Sequence, residues 1–95
     1  MDANELEHVA RQAYDAIFNN IDSIEVDGMV YELERTSRGR LRKFSVRGLT
    51  FMEQNPNKDS RWAEMARDGS QIMWVMQGRQ YLARVMDGKY LKLRW

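Results

Sequence analysis

Cysteine is absent from this chain, which excludes disulfides, a thiol nucleophile and a Cys-based zinc site. There is one histidine, His8. Metal ligation or Ser/His/Asp chemistry would have to rest on that single imidazole near the N-terminus, and it reads instead as a surface residue. The text at Gly39-Arg40 lacks the Gly-Lys-Ser/Thr and the strand-loop-helix setting of a phosphate loop. No apolar run approaches the ~18 residues of a transmembrane helix. The acidic, amphipathic start MDANELEHVARQ is the reverse of a signal peptide. These absences imply a cytoplasmic, non-enzymatic protein with no cofactor and no metal.

What is present is a globular composition, with 43% hydrophobic and 11% aromatic residues over 95 positions. That length suits one domain with one core. The net charge of +1 conceals a division. Residues 1–34 carry nine acids against the single base Arg11, and residues 35–95 carry fourteen bases against five acids. Such asymmetry points to a charged partner, or to an acidic segment lying against a basic sheet.

The densest positive charge falls in Met29–Phe51, which also reads as a hairpin. With Arg38-Gly39 as a two-residue loop and Gly39 at positive φ, Arg35 faces Arg42 and Glu34 faces Lys43. Leu33 then meets Phe44 and Tyr31 meets Val46, all four on one face. A one-residue slip would bury Glu32 and Glu34 instead.

Around this arm the chain reads as an α+β domain. An amphipathic helix spans 4–20, with Leu6, Val9, Ala10, Ala13, Ile17 and Ile21 in its stripe, Tyr14 and Phe18 widening it, and Asn4 and Glu7 as a capping box. Residues 24–53 form a three-stranded meander that turns at Asp27-Gly28. The core-facing positions change parity after Val46, and a bulge at Gly48 accounts for the change. A short helix over 60–68 follows Pro56, capped by Asp59 or Ser60 and ended by Gly69. Residues 71–94 form a second three-stranded meander with turns at Gly78-Arg79 and Asp87-Gly88. Its register sets Met76 by Tyr81, Trp74 by Ala83 and Ile72 by Val85, with Val75 by Leu82 and Met73 by Arg84 on the reverse face. Both faces are then apolar, so the strands are either covered twice or self-associate as a homodimer through the second face. The sheet is curled, antiparallel and of about six strands, open or closed as a small barrel.

Two basic segments carry the binding expectation. The arm holds Arg35, Arg38, Arg40, Arg42, Lys43 and Arg47, and the C-terminal hairpin holds Arg79, Arg84, Lys89, Lys92 and Arg94. Trp62, Tyr81, Tyr90 and Trp95 are candidates for stacking on bases. The set points to nucleic acid, through phosphates contacted by the arm. The rival is a protein-interaction module, an accessory or inhibitory protein with a dipolar surface and seven methionines suited to adaptable contacts. Nucleic-acid binding requires both basic segments on one face away from the acidic helix. A protein module requires an exposed apolar patch.

Overall fold

Tight turns at Asp27-Gly28, Arg47-Gly48 and Asp87-Gly88 set the strand register, each with both residues at positive φ in the type I′ pattern that matches strand twist. A computed structural model of the chain describes residues 1–38 and 40–93. The elements are α1 (Ala3–Phe18), β1 (Ser23–Val26), β2 (Met29–Glu32), β3 (Glu34–Arg35), β4 (Arg42–Val46), β5 (Leu49–Glu53), α2 (Arg61–Arg67), β6 (Ile72–Gln77), β7 (Gln80–Met86) and β8 (Lys89–Lys92). The main sheet is antiparallel in the order β3-β4-β5-β6-β7-β8, and β1-β2 form a separate two-stranded sheet. The main sheet does not close into a barrel: β3 and β8 are its edges. No helix among the described residues is long and apolar enough to cross a membrane.

Helix α1 starts at Ala3, one residue before the expected start at 4. Asp2, not Asn4, is the N-cap, and its carboxylate accepts the Glu5 N–H at 2.9 Å. That bond holds the Asp2 carboxyl below its ordinary value. The helix ends at Phe18, short of residue 20, so Ile21, expected in its stripe, falls beyond it and is exposed. Its stripe of Leu6, Val9, Ala10, Ala13 and Ile17 joins Phe44, Val46, Phe51, Met73, Val75, Ala83 and Val85 in one buried cluster. Phe44 and Phe51 are wholly excluded from solvent.

The 24–53 segment is not a three-stranded meander. Glu34↔Lys43 and Arg35↔Arg42 pair as the hairpin register requires, but Leu33–Phe44 and Tyr31–Val46 do not. The Leu33 N–H bonds to Asp22 O at 2.8 Å, which commits the preceding strand to β1 and interrupts its ladder with β4. The Thr36 N–H and Leu41 O close the arm at 2.9 Å, and the Leu41 N–H reaches Thr36 Oγ1 at 3.0 Å. Thr36 and Leu41 thus flank the tip of the arm; Gly39, expected to supply the positive φ, lies outside the described residues. Gly48 is not a bulge either. It is the second residue of a reversal in which Val46 pairs with Leu49, so both face the core.

In 71–94 the three strands form as expected, and Met76 pairs with Tyr81. The ladder then shifts between Val75 and Met76, leaving Leu82 as the extra residue. Beyond it Val75 faces Ala83, Trp74 faces Arg84 and Met73 faces Val85, one residue off the uniform count. Arg84 therefore shares a face with Trp74, opposite to α1.

Helix α2 is capped by Ser60, whose Oγ accepts the Ala63 N–H at 3.1 Å. Gly69 N–H to Ala66 O and Ser70 N–H to Met65 O end it as a Schellman motif. It runs 61–67 rather than 60–68.

Tyr14 ties α1 to two loops. Its hydroxyl donates to Gln71 O at 3.1 Å and accepts the Gly88 N–H at 3.2 Å. Tyr90 contrasts with it, its hydroxyl buried without a hydrogen-bond partner. Burial raises both phenols above their ordinary 10.0. A raised folded-state pKa means that the stabilisation is intact below pH 10 and is lost as pH climbs through the folded value. Tyr14→Phe should cost about 1–3 kcal/mol in denaturant unfolding at neutral pH, because two backbone groups lose their partner. Tyr90→Phe should cost nothing and should reduce the loss of stability above pH 10. Equal penalties for the two variants would contradict this assignment.

Candidate functional site: an aromatic cleft on the second sheet face

Strand alternation sends Met52, Ile72, Trp74, Met76 and Arg84 to the face opposite α1. Helix α2 covers part of that face, burying Ala63 completely and laying Trp62 over Arg84. The Arg84 guanidinium carbon stands 3.3 Å from the Trp62 ring centroid and 5.0 Å from that of Trp74. Trp62 meets Trp74 edge-on, with centroids 6.2 Å apart and planes at 87°. Trp74 meets Tyr81 at 4.8 Å and 66°. The Trp74 indole N–H donates to Gln54 Oε1, which anchors the ring to the loop after β5.

Beside this row of rings lies a cleft of 330 Å³ lined by Leu41, Met52, Glu53, Gln54, Asn55, Lys58, Ser60, Trp62, Trp74, Met76 and Tyr81. A second, shallower depression adjoins it and shares Trp74 and Tyr81, with Gln77, Arg79, Gln80 and Leu93 as its other walls. Tyr81, Leu91 and Leu93 are exposed at 43%, 39% and 37%. The second face is thus covered at one end by α2 and open at the other.

The basic residues named from the sequence differ in their surroundings. Arg42 is a brace: its Nε and backbone N–H both donate to Glu53 Oε2, and Nη1 donates to Ile17 O and Asn20 Oδ1. It also lies over the Phe18 ring. A cation at the C-terminus of α1 meets unpaired carbonyls and the negative end of the helix dipole. The juxtaposition of Arg42 with Arg35, unfavourable by charge, is thereby explained. Arg47 pairs with Asp27 at 2.8 Å, and that carboxylate raises its pKa further. Arg35, Arg38 and Arg40 are exposed in the arm, and Lys43 is half-buried.

Arg79, Lys89 and Lys92 are exposed in the C-terminal hairpins. The arm borders β3 and the last hairpin borders β8, at opposite edges of the sheet. Six strands at about 4.8 Å separate those edges by roughly 24 Å. Arg84 is 8% exposed, with a buried Nε that lacks an acceptor and no carboxylate partner among the described residues. Desolvation lowers its pKa. Arg94 and Trp95 lie outside the described residues.

Of the stacking candidates, Tyr90 packs against the main core, Trp62 is half-buried beneath its contact with Arg84, and Tyr81 is open. Sequence reasoning missed Trp74, Met52 and Met76 as lining residues. Their signal was the second apolar stripe of β6, which the sequence reading attributed to covering or self-association. His8 is exposed on α1, and no three His, Asp or Glu side chains gather among the described residues. No protein-family model matches the chain, and comparison with curated proteins and with solved structures returned no match.

Arg84 and Arg42 should respond differently to Met. Arg84→Met removes a buried charge that no carboxylate balances, and it keeps the apolar stem. Its unfolding free energy should stay within about 1 kcal/mol of the parent, since lost cation–π attraction and relieved desolvation offset each other. Arg42→Met leaves Glu53 and the α1 carbonyls unpaired and should cost about 2–4 kcal/mol. Guanidinium unfolding of the two variants makes the comparison. A loss above about 2 kcal/mol for Arg84→Met would make that residue a structural brace.

Proposed function

We propose that this is a protein-interaction module that takes an extended segment of a partner protein along the open half of its second sheet face. The observation that carries the reading is the apolar track of Met52, Trp74, Met76, Tyr81 and Leu93, left uncovered beside α2. A concave, mainly apolar surface with a few polar groups at its rim is what an anchoring side chain requires. The methionines suit anchors of varied shape.

Base stacking asks for a flat ring face turned outward. Here the rings pack edge to face on one another, and Arg84 covers one face of Trp62. Phosphate contacts would have to draw on cations at two distant sheet edges. The geometry therefore favours a protein segment over nucleic acid.

The test is panning of a random displayed-peptide library on the purified protein, with the Met76→Ala/Tyr81→Ala variant as the counter-target. Selected peptides should bind the parent and lose about tenfold or more in affinity, roughly 1.4 kcal/mol, on the variant. Both sites are on the surface of the track, so near-UV circular dichroism should show an intact fold. Absence of enrichment, or peptides indifferent to Met76 and Tyr81, would refute the proposal. Salt-dependent binding of labelled oligonucleotides that is lost on replacing Arg38 and Arg40 would establish the nucleic-acid reading instead.

A further inference from the structure

We infer that the track selects an acidic segment, in which carboxylates flank a large apolar anchor; this rests on the docking role proposed above. The cleft and the adjoining depression share Trp74 and Tyr81, so they form one path across the open face. Lys58 lines the first and Arg79 the second. Neither side chain has an ion pair among the described residues. The one carboxylate on the path, Glu53, is already occupied, since its Oε2 accepts both the backbone N–H and the Nε of Arg42. Among the described residues the path therefore has one cation in each depression, a shared apolar wall and no free acid.

Two further facts give the same sign. Arg84 adds a cation behind Trp62 that no carboxylate of the described residues balances. Most acids of the N-terminal third are placed elsewhere: Glu5, Glu7 and Asp15 ride on α1, across the sheet, with Asp2 as its cap, and Glu25, Asp27 and Glu32 belong to the separate β1-β2 hairpin, while Glu34 stands on the edge strand β3 opposite Lys43. A neutral or basic segment laid along the path would strip water from Lys58 and Arg79 without supplying partners. An acidic one supplies them and is drawn in by the field. The shared apolar wall requires that the same segment carry an anchor, such as Leu, Phe or Trp, between its acids.

The peptides selected above provide the readout. Their consensus should be enriched in Asp and Glu around one large apolar residue, and binding should weaken as salt rises. The Lys58→Glu/Arg79→Glu variant should bind them about tenfold or more weakly and should gain affinity for the same peptides with Glu replaced by Lys. These are surface positions, and Met76 and Tyr81 are untouched, so loss here is separable from loss of the apolar anchor. Neutral or basic selected peptides, or affinities unmoved by the charge reversal, would overturn the inference and leave docking itself intact. Peptides that ignore Tyr81, or no enrichment, would remove the docking role beneath it. An oligonucleotide that binds and is lost on both the charge-reversal and the Met76→Ala/Tyr81→Ala variants would overturn both in favour of nucleic acid.

Discussion

Unequal cover is the constraint on which this structure turns. The central strands are apolar on both faces, so each face needs something laid over it. Helix α1 has sixteen residues and a length of about 24 Å, close to the roughly 24 Å width of six strands. It closes its face and buries Phe44, Phe51, Val75 and Val85 under its alanine-rich stripe. Helix α2 has seven residues, about 10 Å of cover, and its face stays open beyond Trp62. The cleft is the part of that layer which α2 leaves open, and its apolar side chains persist in water because the closed face supplies the folding core.

The same division sorts the charges by depth. Arg42 is held because the C-terminal carbonyls of α1 and the Glu53 carboxylate converge on one guanidinium, a geometry that suits its planar donors. Arg47 balances Asp27 at the mouth of the β1-β2 turn. Of the others, Lys58 and Arg79 line the second face and Arg35, Arg38 and Arg40 stand exposed in the arm, while α1 carries Glu5, Glu7 and Asp15 on the other side. The charge asymmetry seen along the sequence is thus neutralised internally at Arg47 and Asp27 and left open at Lys58 and Arg79 on the second face. The acidic helix does not lie over the open face.

Much of the architecture was legible in the sequence, and the failures have identifiable physics. Asp27-Gly28 and Asp87-Gly88 each gave a turn and a register that the structure keeps, and Gly78-Arg79 gave its turn and the pair Met76–Tyr81 but not the register beyond it, because positive φ is demanded locally. The parity change after Val46 was read correctly and explained wrongly. A bulge and a two-residue reversal change parity alike, and only the length of strand available afterwards separates them. The bulge at Leu82 has no signal of its own: no glycine marks it, and one residue of slip moved Arg84 from the α1 side to the Trp74 side. The break at Leu33 comes from a backbone bond to Asp22, which side-chain periodicity does not report. As for the site, Tyr81 and Trp62 were named, but their gathering with Trp74, Met52 and Met76 depends on that bulge and on where α2 lands.

Arg84 is the residue whose presence needs an argument. A charged group with a buried, unpaired Nε is unfavourable in a position that a methionine could fill. Its return is in shape. A planar guanidinium stacked on an indole fixes the ring plane, as a flexible thioether would not. With Trp62 held flat on Arg84, and Trp74 tied by its N–H to Gln54, two walls of the cleft are set before anything enters it. An anchor that meets walls already in place loses less entropy to side-chain ordering, about 0.5–1.5 kcal/mol for each side chain that need not be immobilised. Stability given up at Arg84 is therefore recovered as preorganisation of the surface that α2 leaves open.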